Sequence, residues 1–364
     1  MSHRLRILYV AYPLLPVSRD SCGGAEQILC ALERLMHQQG HVTTVAACGS
    51  SQVAGELLAT GSAPAEADQL GQREREHRAA IIATIRERER QGEAFDLIHD
   101  HSGSFWQCAS QFDLPLLVTL HLPRQLYHPG AFSGPAPNVF FNCVSGCQYQ
   151  QFTDLQNFAS VVENGVDLEQ FRPHNGEREP YLLWMGRICE EKGPHLALDV
   201  AEATQLPVIL AGEVYPFSYH QQYYQREIVP RLKALGSRAK HIVTPTFSQK
   251  LKLLQRARAV LIPSTVEETS SLVAMEAMAC GTPVIAFHRG ALAQIVVDGV
   301  TGFLVESAAQ MAESVKEAAQ IDANTCRRYA EQFYSEERMA GEYERLYEKV
   351  LKSWRARRAQ ELVA

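Results

Sequence analysis

The chain alternates short apolar runs with longer segments in which apolar residues recur every three or four positions. The first apolar run is 6–12 (RILYVAY), and the segment after it, 25–39, carries an apolar stripe that ends before Gly40. Short apolar runs are typical of buried strands, and a 3.6-residue stripe is typical of a helix that covers a sheet. The alternation therefore predicts an α/β fold built on parallel sheets. The other short runs of the first half are 41–47, 95–101, 114–121, 138–145 and 159–165.

Two segments of the first half depart from this alternation. Residues 52–71 are rich in Ala, Gly and Ser and predict a loop. Residues 72–92 interleave Arg and Glu at helical spacing, which predicts a helix whose charges form a solvated face.

The same alternation begins again after a polar segment. Residues 171–180 (FRPHNGEREP) contain two prolines and a glycine, and we place a linker at 173–180. The pattern predicts an N-terminal Rossmann-like domain at 1–172 and a C-terminal one at 181–334, two doubly wound domains that face a central cleft. A ligand in that cleft would contact the carboxyl ends of strands from both domains. The apolar runs of the second domain are 181–187, 206–213, 240–247, 260–264 and 282–287.

Composition and charge narrow the possible classes of protein. A length of 364 residues fits two domains, and 46% hydrophobic residues can fill their cores. The net charge of −6 gives no overall positive field that would attract nucleic acid. No apolar run is long enough to span a membrane, although peripheral contact through a local basic patch stays open. The nine cysteines form no C-x-x-C pair, which indicates reduced thiols in a cytoplasmic protein and no metal site.

Gly23 and Gly24 stand between the first apolar run and the first helical stripe. Glycines at such a turn let backbone amides approach a ligand, and the N-terminus of a helix attracts an anion. One interpretation is a phosphate-binding turn, and the other is a tight turn that packs the helix against the sheet. The G-x-G-x-x-G spacing of dinucleotide-binding folds is missing, which argues against an NAD-dependent oxidoreductase.

A second motif, MGRICEEKG at 185–193, begins where the second domain's first strand ends. Gly186 is followed by Arg187, and Lys192 comes five residues later. Two cations at the carboxyl end of a strand could hold a diphosphate, Arg187 through forked hydrogen bonds and Lys192 as a mobile point charge. The alternative is a surface loop in which the two intervening glutamates neutralise both cations.

A third motif places two glutamates around the start of a helix. Glu268 and Glu276 are separated by seven residues, and Thr269, Ser270 and Ser271 are good N-cap residues before an apolar run. Glu268 would then precede the helix and Glu276 would lie in its second turn. Free amides at the helix start suit a phosphate, and a carboxylate suits the hydroxyls of a sugar. The alternative for Glu276 is a capped or ion-paired core residue.

The HDH sequence at 99–101 places His99 and His101 on one face of a strand, with Asp100 on the other. Zinc would want four ligands and the chain offers no second pair, so we predict no metal there. His101 is a candidate acceptor contact, and the alternative is a hydrogen-bonded histidine at a strand end. An aromatic-rich insertion follows residue 213. One interpretation is that its rings stack on a base or sugar, and the alternative is that they pack only on one another. Its rings are Tyr215, Phe217, Tyr219, Tyr223 and Tyr224.

The order of these motifs resembles glycosyltransferase family 4, the group 1 glycosyl transferases. The resemblance runs from Ile7 to about Tyr347. It implies the GT-B fold, and it implies that the helical segment 335–364 crosses back to the N-terminal domain. Further motifs in matching order are TLH at 119–121, NGVD at 164–167, LAGE at 210–213, GTPVIAF at 281–287 and DGVTGFLV at 298–305.

The resemblance also implies roles for single residues. As catalytic residues, Arg187 and Lys192 would bind the donor diphosphate and neutralise the departing charge, Glu268 would orient the transferred sugar, and His121 would lie near that sugar. Glu276 would bind the ribose hydroxyls. The other implied donor-binding residues are Gly23, Gly24, Gly186, Gly212, Ser271, Leu272 and Val273, with 243–247 framing the base. Ser145 joins His101 as a candidate acceptor contact.

We therefore predict a retaining glycosyltransferase that moves a sugar from a nucleoside-diphosphate sugar to an unidentified acceptor. A UDP-sugar is favoured and GDP-mannose is second, and the reaction is front-face and needs neither metal nor cofactor. The alternatives are a sugar-nucleotide epimerase or hydrolase on the same fold, or an inactive nucleotide-binding scaffold. The chain departs from the usual family pattern at 269–271, where Thr-Ser-Ser replaces Pro-Phe-Gly, at Gln294, where an acidic residue is common, and near 243, where a glycine is missing.

Overall fold

The computed structural model describes residues 4–21, 23–62 and 69–361 and divides into two compact units. The first unit joins Met1–Asn164 with Glu336–Ala364, and the second is Gly165–Ser335. The last three residues of the predicted segment 335–364 lie outside the described residues. Within the described part, none of the helices has both the length and the apolar composition that a membrane crossing requires.

The first unit is built on seven parallel strands in the order β3-β2-β1-β4-β5-β6-β7. Apart from β7 at the edge, this is the strand order of a Rossmann-like doubly wound sheet. Its core is formed by inward side chains such as Leu8, Val10, Ile98, Val118 and Phe141. The strands are β1 (Arg6–Val10), β2 (Val42–Ala47), β3 (Glu56–Ala59), β4 (Leu97–Asp100), β5 (Leu116–Leu120), β6 (Val139–Cys143) and β7 (Phe158–Val161).

Three helices connect these strands: α1 (Gly24–Gln38), α2 (Leu70–Arg90) and the short α3 (Gly146–Gln150). The predicted stripe of α1 is buried and includes Ile28, Leu29 and Leu32, so the periodicity is confirmed. The loop predicted at 52–71 is wrong in part, because β3 pairs there with β2 at the sheet edge. Residues 63–68 of that segment lie outside the described residues. Two 3₁₀ segments are Phe105–Gln111 and Arg124–Leu126.

The second unit repeats the same strand order with six parallel strands, β10-β9-β8-β11-β12-β13. In a doubly wound sheet, ligands bind outside the carboxyl ends of the strands where the order reverses, here between β8 and β11. Its core includes Leu182, Trp184, Leu210, Leu261 and Ile285. The strands are β8 (Leu182–Met185), β9 (Val208–Ala211), β10 (Ala239–Ile242), β11 (Ala259–Ile262), β12 (Val284–Phe287) and β13 (Gly302–Val305).

Eight α-helices belong to the described part of this unit. They are α4 (Pro194–Thr204), α5 (Ser218–Tyr223), α6 (Val229–Leu235), α7 (Phe247–Arg256), α8 (Leu272–Ala279), α9 (Leu292–Ile295), α10 (Ala308–Ala318) and α11 (Ala323–Phe333). Short 3₁₀ segments at Glu190–Lys192 and Gly236–Arg238, and a π-helical turn at Tyr224–Ile228, complete the unit.

The sequence prediction drew the domain boundary at residue 172, whereas the contacts draw it after Asn164. Residues 165–172 belong to the second unit because they bond to its end: Val166 N–H donates to Tyr334 O at 2.8 Å. Arg327 Nη1 donates to the carbonyl of Phe171 at 2.6 Å.

The last helix, α12 (Glu336–Glu361), packs on the first unit. Its Tyr347 and Tyr343 are buried against the sheet. The Tyr347 hydroxyl forms hydrogen bonds with Tyr9 Oη at 3.1 Å and with His99 Nδ1 at 2.8 Å. The helix therefore closes the buried polar cluster at the carboxyl end of β4.

Candidate functional site

In the second unit, the predicted donor residues gather at the carboxyl ends of β8, β9 and β11. Gly186 follows β8 and Gly212 follows β9. A Cβ on Gly212 would lie 1.8 Å from the carbonyl oxygen of Gly186, and Gly212 has a φ of +153°. Only glycine tolerates this approach, so the two strand ends pack backbone against backbone and bring their loops together.

Arg187 is held on two sides but stays accessible. Its Nη2 lies 3.1 Å from Glu191 Oε1, and its guanidinium carbon lies 5.4 Å from the ring centroid of Tyr215. The side chain is 34% exposed, so an anion can still reach the remaining N–H donors. Glu191 also lies beside Cys189 and His220, and together they form a group of potential metal ligands.

Lys192 and Glu268, which the sequence predicted separately, form an ion pair. Lys192 Nζ lies 2.6 Å from Glu268 Oε1 and 2.8 Å from Oε2. Ser264 Oγ donates to the same carboxylate, and the backbone N–H of Ala291 donates to the Glu268 carbonyl at 2.7 Å. The sequence left open an alternative in which the two intervening glutamates neutralise both cations. That alternative holds for Arg187, which pairs with Glu191. It does not hold for Lys192, whose partner is 76 residues away.

Helix α8 begins where the sequence predicted a helix start. Ser271 is its N-cap, and the Ser271 Oγ accepts from the N–H of Ala274 at 3.4 Å. Leu272 and Val273 are the first two helical residues and are half-buried. Amides at these positions have no partner within the helix, so they add positive potential at this point.

Glu276 lies in the second turn of α8 and is 2% exposed. Its Oε1 accepts from Lys250 Nζ at 2.5 Å, while its Oε2 is buried and has no hydrogen-bond partner among the described residues. Burial raises the pKa of the Glu276 carboxyl, and the Lys250 charge opposes that rise. A buried carboxylate oxygen without a donor is costly. The arrangement is therefore suited to a ligand that supplies a hydroxyl.

Sequence reasoning missed Lys250. It lies on α7, where Lys252 and other polar residues follow the same helical pattern. Its Nζ also lies 5.3 Å from the ring centroid of Phe171. No local signal singles it out, because its partner is 26 residues away and is brought near only by the packing of α7 on α8.

The segment 243–247, expected to frame a base, is largely open. Val243 is 55% exposed, and Thr244 Oγ1 donates to Glu213 Oε1 at 2.5 Å. Thr246 caps α7 in a reciprocal capping box with Gln249, which fixes the start of that helix.

In the first unit, Gly23 and Gly24 form the start of α1. Gly23 is the N-cap and Gly24 is the first helical residue. A Cβ on Gly23 would lie 1.9 Å from Glu26 Oε2, so the buried Glu26 carboxyl folds back on the turn. Burial raises the pKa of Glu26 to about 7. The protein's own acidic group thus adjoins the helix start that one of the two interpretations of the sequence gave to a phosphate.

His99, His101 and His121 of the first unit form one cluster. His101 Nδ1 and His121 Nε2 are 2.9 Å apart and share a hydrogen bond, and the rings of His99 and His101 are 4.1 Å apart. Asp100 points to the opposite face, where it accepts from the N–H groups of Ser102 and Trp106. The face assignment of the HDH sequence is therefore confirmed.

Burial keeps this cluster uncharged. Desolvation lowers the pKa of His121 to about 4 and lowers the pKa values of His99 and His101 well below the usual range. His101 is only 4% exposed, and its Nε2 lacks a hydrogen-bond partner within the described part of the chain. Because the Nδ1 of His101 bonds to His121, this nitrogen agrees with the alternative that the sequence left open, a hydrogen-bonded histidine at a strand end.

Ser145 lies at the N-cap of α3, where its Oγ accepts from the N–H of Gln148 at 3.3 Å. The same oxygen lies 3.2 Å from the Cys147 sulfur. The side chain is buried, and its contacts are those of a helix cap.

Two family models match the chain in succession. The model described as Glycosyltransferase Family 4 matches residues 22–170, and the model described as Glycosyl transferases group 1 matches residues 166–336. Together they span both units and every predicted site residue.

Two curated relatives show the extent of the similarity. An uncharacterized glycosyltransferase of Methanocaldococcus jannaschii is 26% identical over 59% of this chain and 62% of its own length. D-inositol 3-phosphate glycosyltransferase of Mycolicibacterium smegmatis is 28% identical over 58% of this chain and 56% of its own. The matched part therefore spans less than two thirds of each relative.

Solved structures share the fold over almost the whole chain. Sucrose-phosphate synthase from Thermosynechococcus elongatus has a TM-score of 0.79 at 20% identity and covers 96% of this chain and 100% of its own. HepE of Anabaena, solved in complex with UDP-glucose, has a TM-score of 0.74 at 20% identity, with coverage of 96% and 100%. The likeness shows the two-domain α/β GT-B fold.

Proposed function

Because this chain belongs to the group 1, family 4 glycosyltransferases, we propose that it transfers a sugar from a nucleoside-diphosphate sugar to an acceptor that is still unidentified. A UDP-sugar is the favoured donor and GDP-mannose the second. The anomeric configuration is retained, and the reaction takes place in the cytoplasm.

The observation that carries the proposal is the unpartnered Oε2 of Glu276. A carboxylate that is 2% exposed and bonded through one oxygen only is stabilised when a ligand donates a hydrogen bond to the other. The ribose of a nucleotide offers two adjacent hydroxyls. The amides at the start of α8 lie within two turns of the same helix and suit the phosphates of that nucleotide.

The cations of the second unit suit the departing diphosphate. Arg187 can present forked donors, and Lys192 can exchange Glu268 for a phosphate oxygen because its ammonium is a mobile point charge. Glu268, released from Lys192, would then accept from hydroxyls of the transferred sugar. Stabilising the leaving-group charge is the main electrostatic task of the reaction, and Arg187 and Lys192 would perform it.

The pKa of about 4 for His121 limits what this residue can do at neutral pH. A group that weakly basic is a poor proton acceptor, because efficient general bases have pKa values near the working pH. We therefore assign His121 a hydrogen-bonding role toward the sugar. In the front-face mechanism, an oxygen of the departing diphosphate takes the acceptor's proton and no metal is needed.

A panel of nucleotides tests the donor class. We expect one of UDP, GDP, ADP and dTDP to raise the thermal unfolding temperature of the protein, by a stabilisation of about 2.7 kcal/mol at 100 times its dissociation constant. The matching nucleotide sugars are then followed by NMR for release of the diphosphate and for the anomer of the product. A shift with NAD alone, no shift with any diphosphate, or an inverted product would overturn the proposal.

A further inference from the structure

A second cluster in the second unit combines a thiol, a carboxylate and an imidazole. Cys189, Glu191 and His220 each offer one ligand atom, and these three atoms all lie within 4.8 Å of one another. Cys189 and Glu191 lie in the loop after β8, and His220 lies on α5, in the insertion after β9. The cluster is therefore assembled from the two loops that the Gly186–Gly212 contact brings together.

His220 is the observation that points to a ligand. It is 1% exposed, and neither Nδ1 nor Nε2 has a hydrogen-bond partner among the residues described. The rings of Tyr215, Phe217 and Tyr219 pack around it. Buried polar atoms nearly always find a partner, so two idle nitrogens on one buried ring call for an explanation.

Two other histidines of this unit, His195 and His241, show the hydrogen bonds that an imidazole ordinarily forms there. His195 Nδ1 bonds to Tyr223 Oη at 2.6 Å. His241 uses both nitrogens, with Tyr224 Oη at 3.0 Å and the Gly212 carbonyl at 2.9 Å. Of the three, His220 alone has both nitrogens idle within the described part of the chain, although it is also the most deeply buried.

The donor set is selective for one class of ion. Sulfur, imidazole nitrogen and carboxylate oxygen together suit zinc and similar transition metals, whereas magnesium and calcium prefer oxygen alone. Thiolate and carboxylate carry two negative charges, which balance a divalent cation, and binding releases the thiol proton. Three protein ligands leave a fourth position for water.

We propose that Cys189, Glu191 and His220 bind one zinc-class divalent cation that ties the loop after β8 to the insertion after β9. Glu191 is also the ion-pair partner of Arg187. The ion therefore fixes the carboxylate that positions Arg187, although it takes no part in the transfer itself.

Cobalt titration of the untagged, chelator-treated full-length protein tests this site directly. We expect one equivalent of Co²⁺ to produce a thiolate-to-cobalt charge-transfer band and to raise the unfolding temperature, and we expect Zn²⁺ to abolish the band. Cys189→Ser removes the band, and His220→Gln weakens binding at least tenfold. Cys30→Ser, at a half-buried thiol of the first unit, is the matched control and keeps both signals.

The proposal is overturned if the wild-type protein gives no band, or if the band survives in Cys189→Ser. Circular dichroism checks that each variant is folded. Should Cys189→Ser not fold, X-ray absorption of the zinc-loaded wild-type protein decides the question. One sulfur with nitrogen and oxygen ligands supports the site, and a shell with no sulfur, or with two or more, contradicts it.

Discussion

The two units have the same order of six parallel strands, but they carry different chemistry at the carboxyl ends of those strands. In the first unit, β4 and β5 lead into His101 and His121, whose pKa values are lowered by burial. In the second unit, β8 leads into Arg187 and Lys192, and β11 leads into Glu268. The histidine cluster of the first unit is neutral, whereas the corresponding groups of the second unit are charged.

The difference lies in how each set of polar groups is satisfied. The histidine cluster bonds mainly to itself and to uncharged hydroxyls such as Thr119 and Tyr347. The second unit instead holds charged pairs that are partly exposed, and Glu276 keeps one carboxylate oxygen without a donor. Because a buried carboxylate oxygen without a donor is costly, the second arrangement suits a ligand that supplies a hydroxyl. A shared topology therefore does not make the two strand ends equivalent.

The largest effect is expected from Arg187→Ala. Removing one preorganised group that stabilises developing negative charge reduces kcat by about 100- to 1,000-fold, and we expect nucleoside diphosphate binding to weaken as well. Arg187→Lys, which keeps the charge but loses the fork, should recover only part of the activity. Arg226→Ala, at an exposed ion pair of the same unit, is the control and should keep its activity. Equal turnover for Arg187→Ala and Arg226→Ala would contradict the assignment.

Glu268→Gln should distinguish the binding of the transferred sugar from the binding of the nucleotide. The variant keeps the size of the side chain but loses the charge that pairs with Lys192. We expect turnover to fall by about 10- to 100-fold through lost orientation of the sugar, with a much smaller change in the inhibition constant of the free diphosphate. Glu267→Gln alters the exposed neighbour and serves as the control. If the variant lost only affinity for the diphosphate and kept its turnover, Glu268 would contact the nucleotide and not the transferred sugar.

The neutral cluster predicts a smaller effect, which is measured on the stability of the fold. The folded pKa of His121 is about 4 and the unfolded value is about 6.5, so its contribution is present above pH 6.5 and is lost as the pH falls toward 4. The difference in unfolding free energy between the wild type and His121→Asn should therefore shrink by about 1–2 kcal/mol between pH 7 and pH 5. Denaturant unfolding at the two pH values measures this difference in unfolding free energy. His128→Asn, at an exposed histidine, is the control. A gap that does not change with pH would show that His121 is not held neutral.

The sequence predicted most of the fold because strand and helix periods are local signals. The stripe of α1 and the N-cap at Ser271 are read directly from neighbouring residues. Strand β3 was missed because its residues lie in an Ala- and Gly-rich segment, and it is defined by its pairing with β2. The motifs around Arg187, Lys192, Glu268 and Glu276 suggested phosphate- and sugar-binding residues with alternatives left open, and the family resemblance then implied their roles in binding the donor.

The pairings within the candidate site could not be predicted in the same way. Lys192 with Glu268 and Lys250 with Glu276 join residues that are 76 and 26 positions apart. Each pair depends on how two loops or two helices pack, which no spacing along the chain encodes. Likewise, the sequence could not predict that both ring nitrogens of His220 lack a hydrogen-bond partner among the described residues, because this depends on how the surrounding rings pack.

The central claim is that the charged strand ends of the second unit bind the nucleotide and that the neutral histidine cluster does not. Titration calorimetry of UDP, or of whichever diphosphate the panel selects, into wild type, Glu276→Ala and His121→Asn tests it most directly. We expect Glu276→Ala to weaken binding by about 10- to 100-fold, the range of a hydrogen bond to a charged group, and His121→Asn to bind like the wild type. Unchanged affinity in Glu276→Ala, or an equal loss in both variants, would contradict the account.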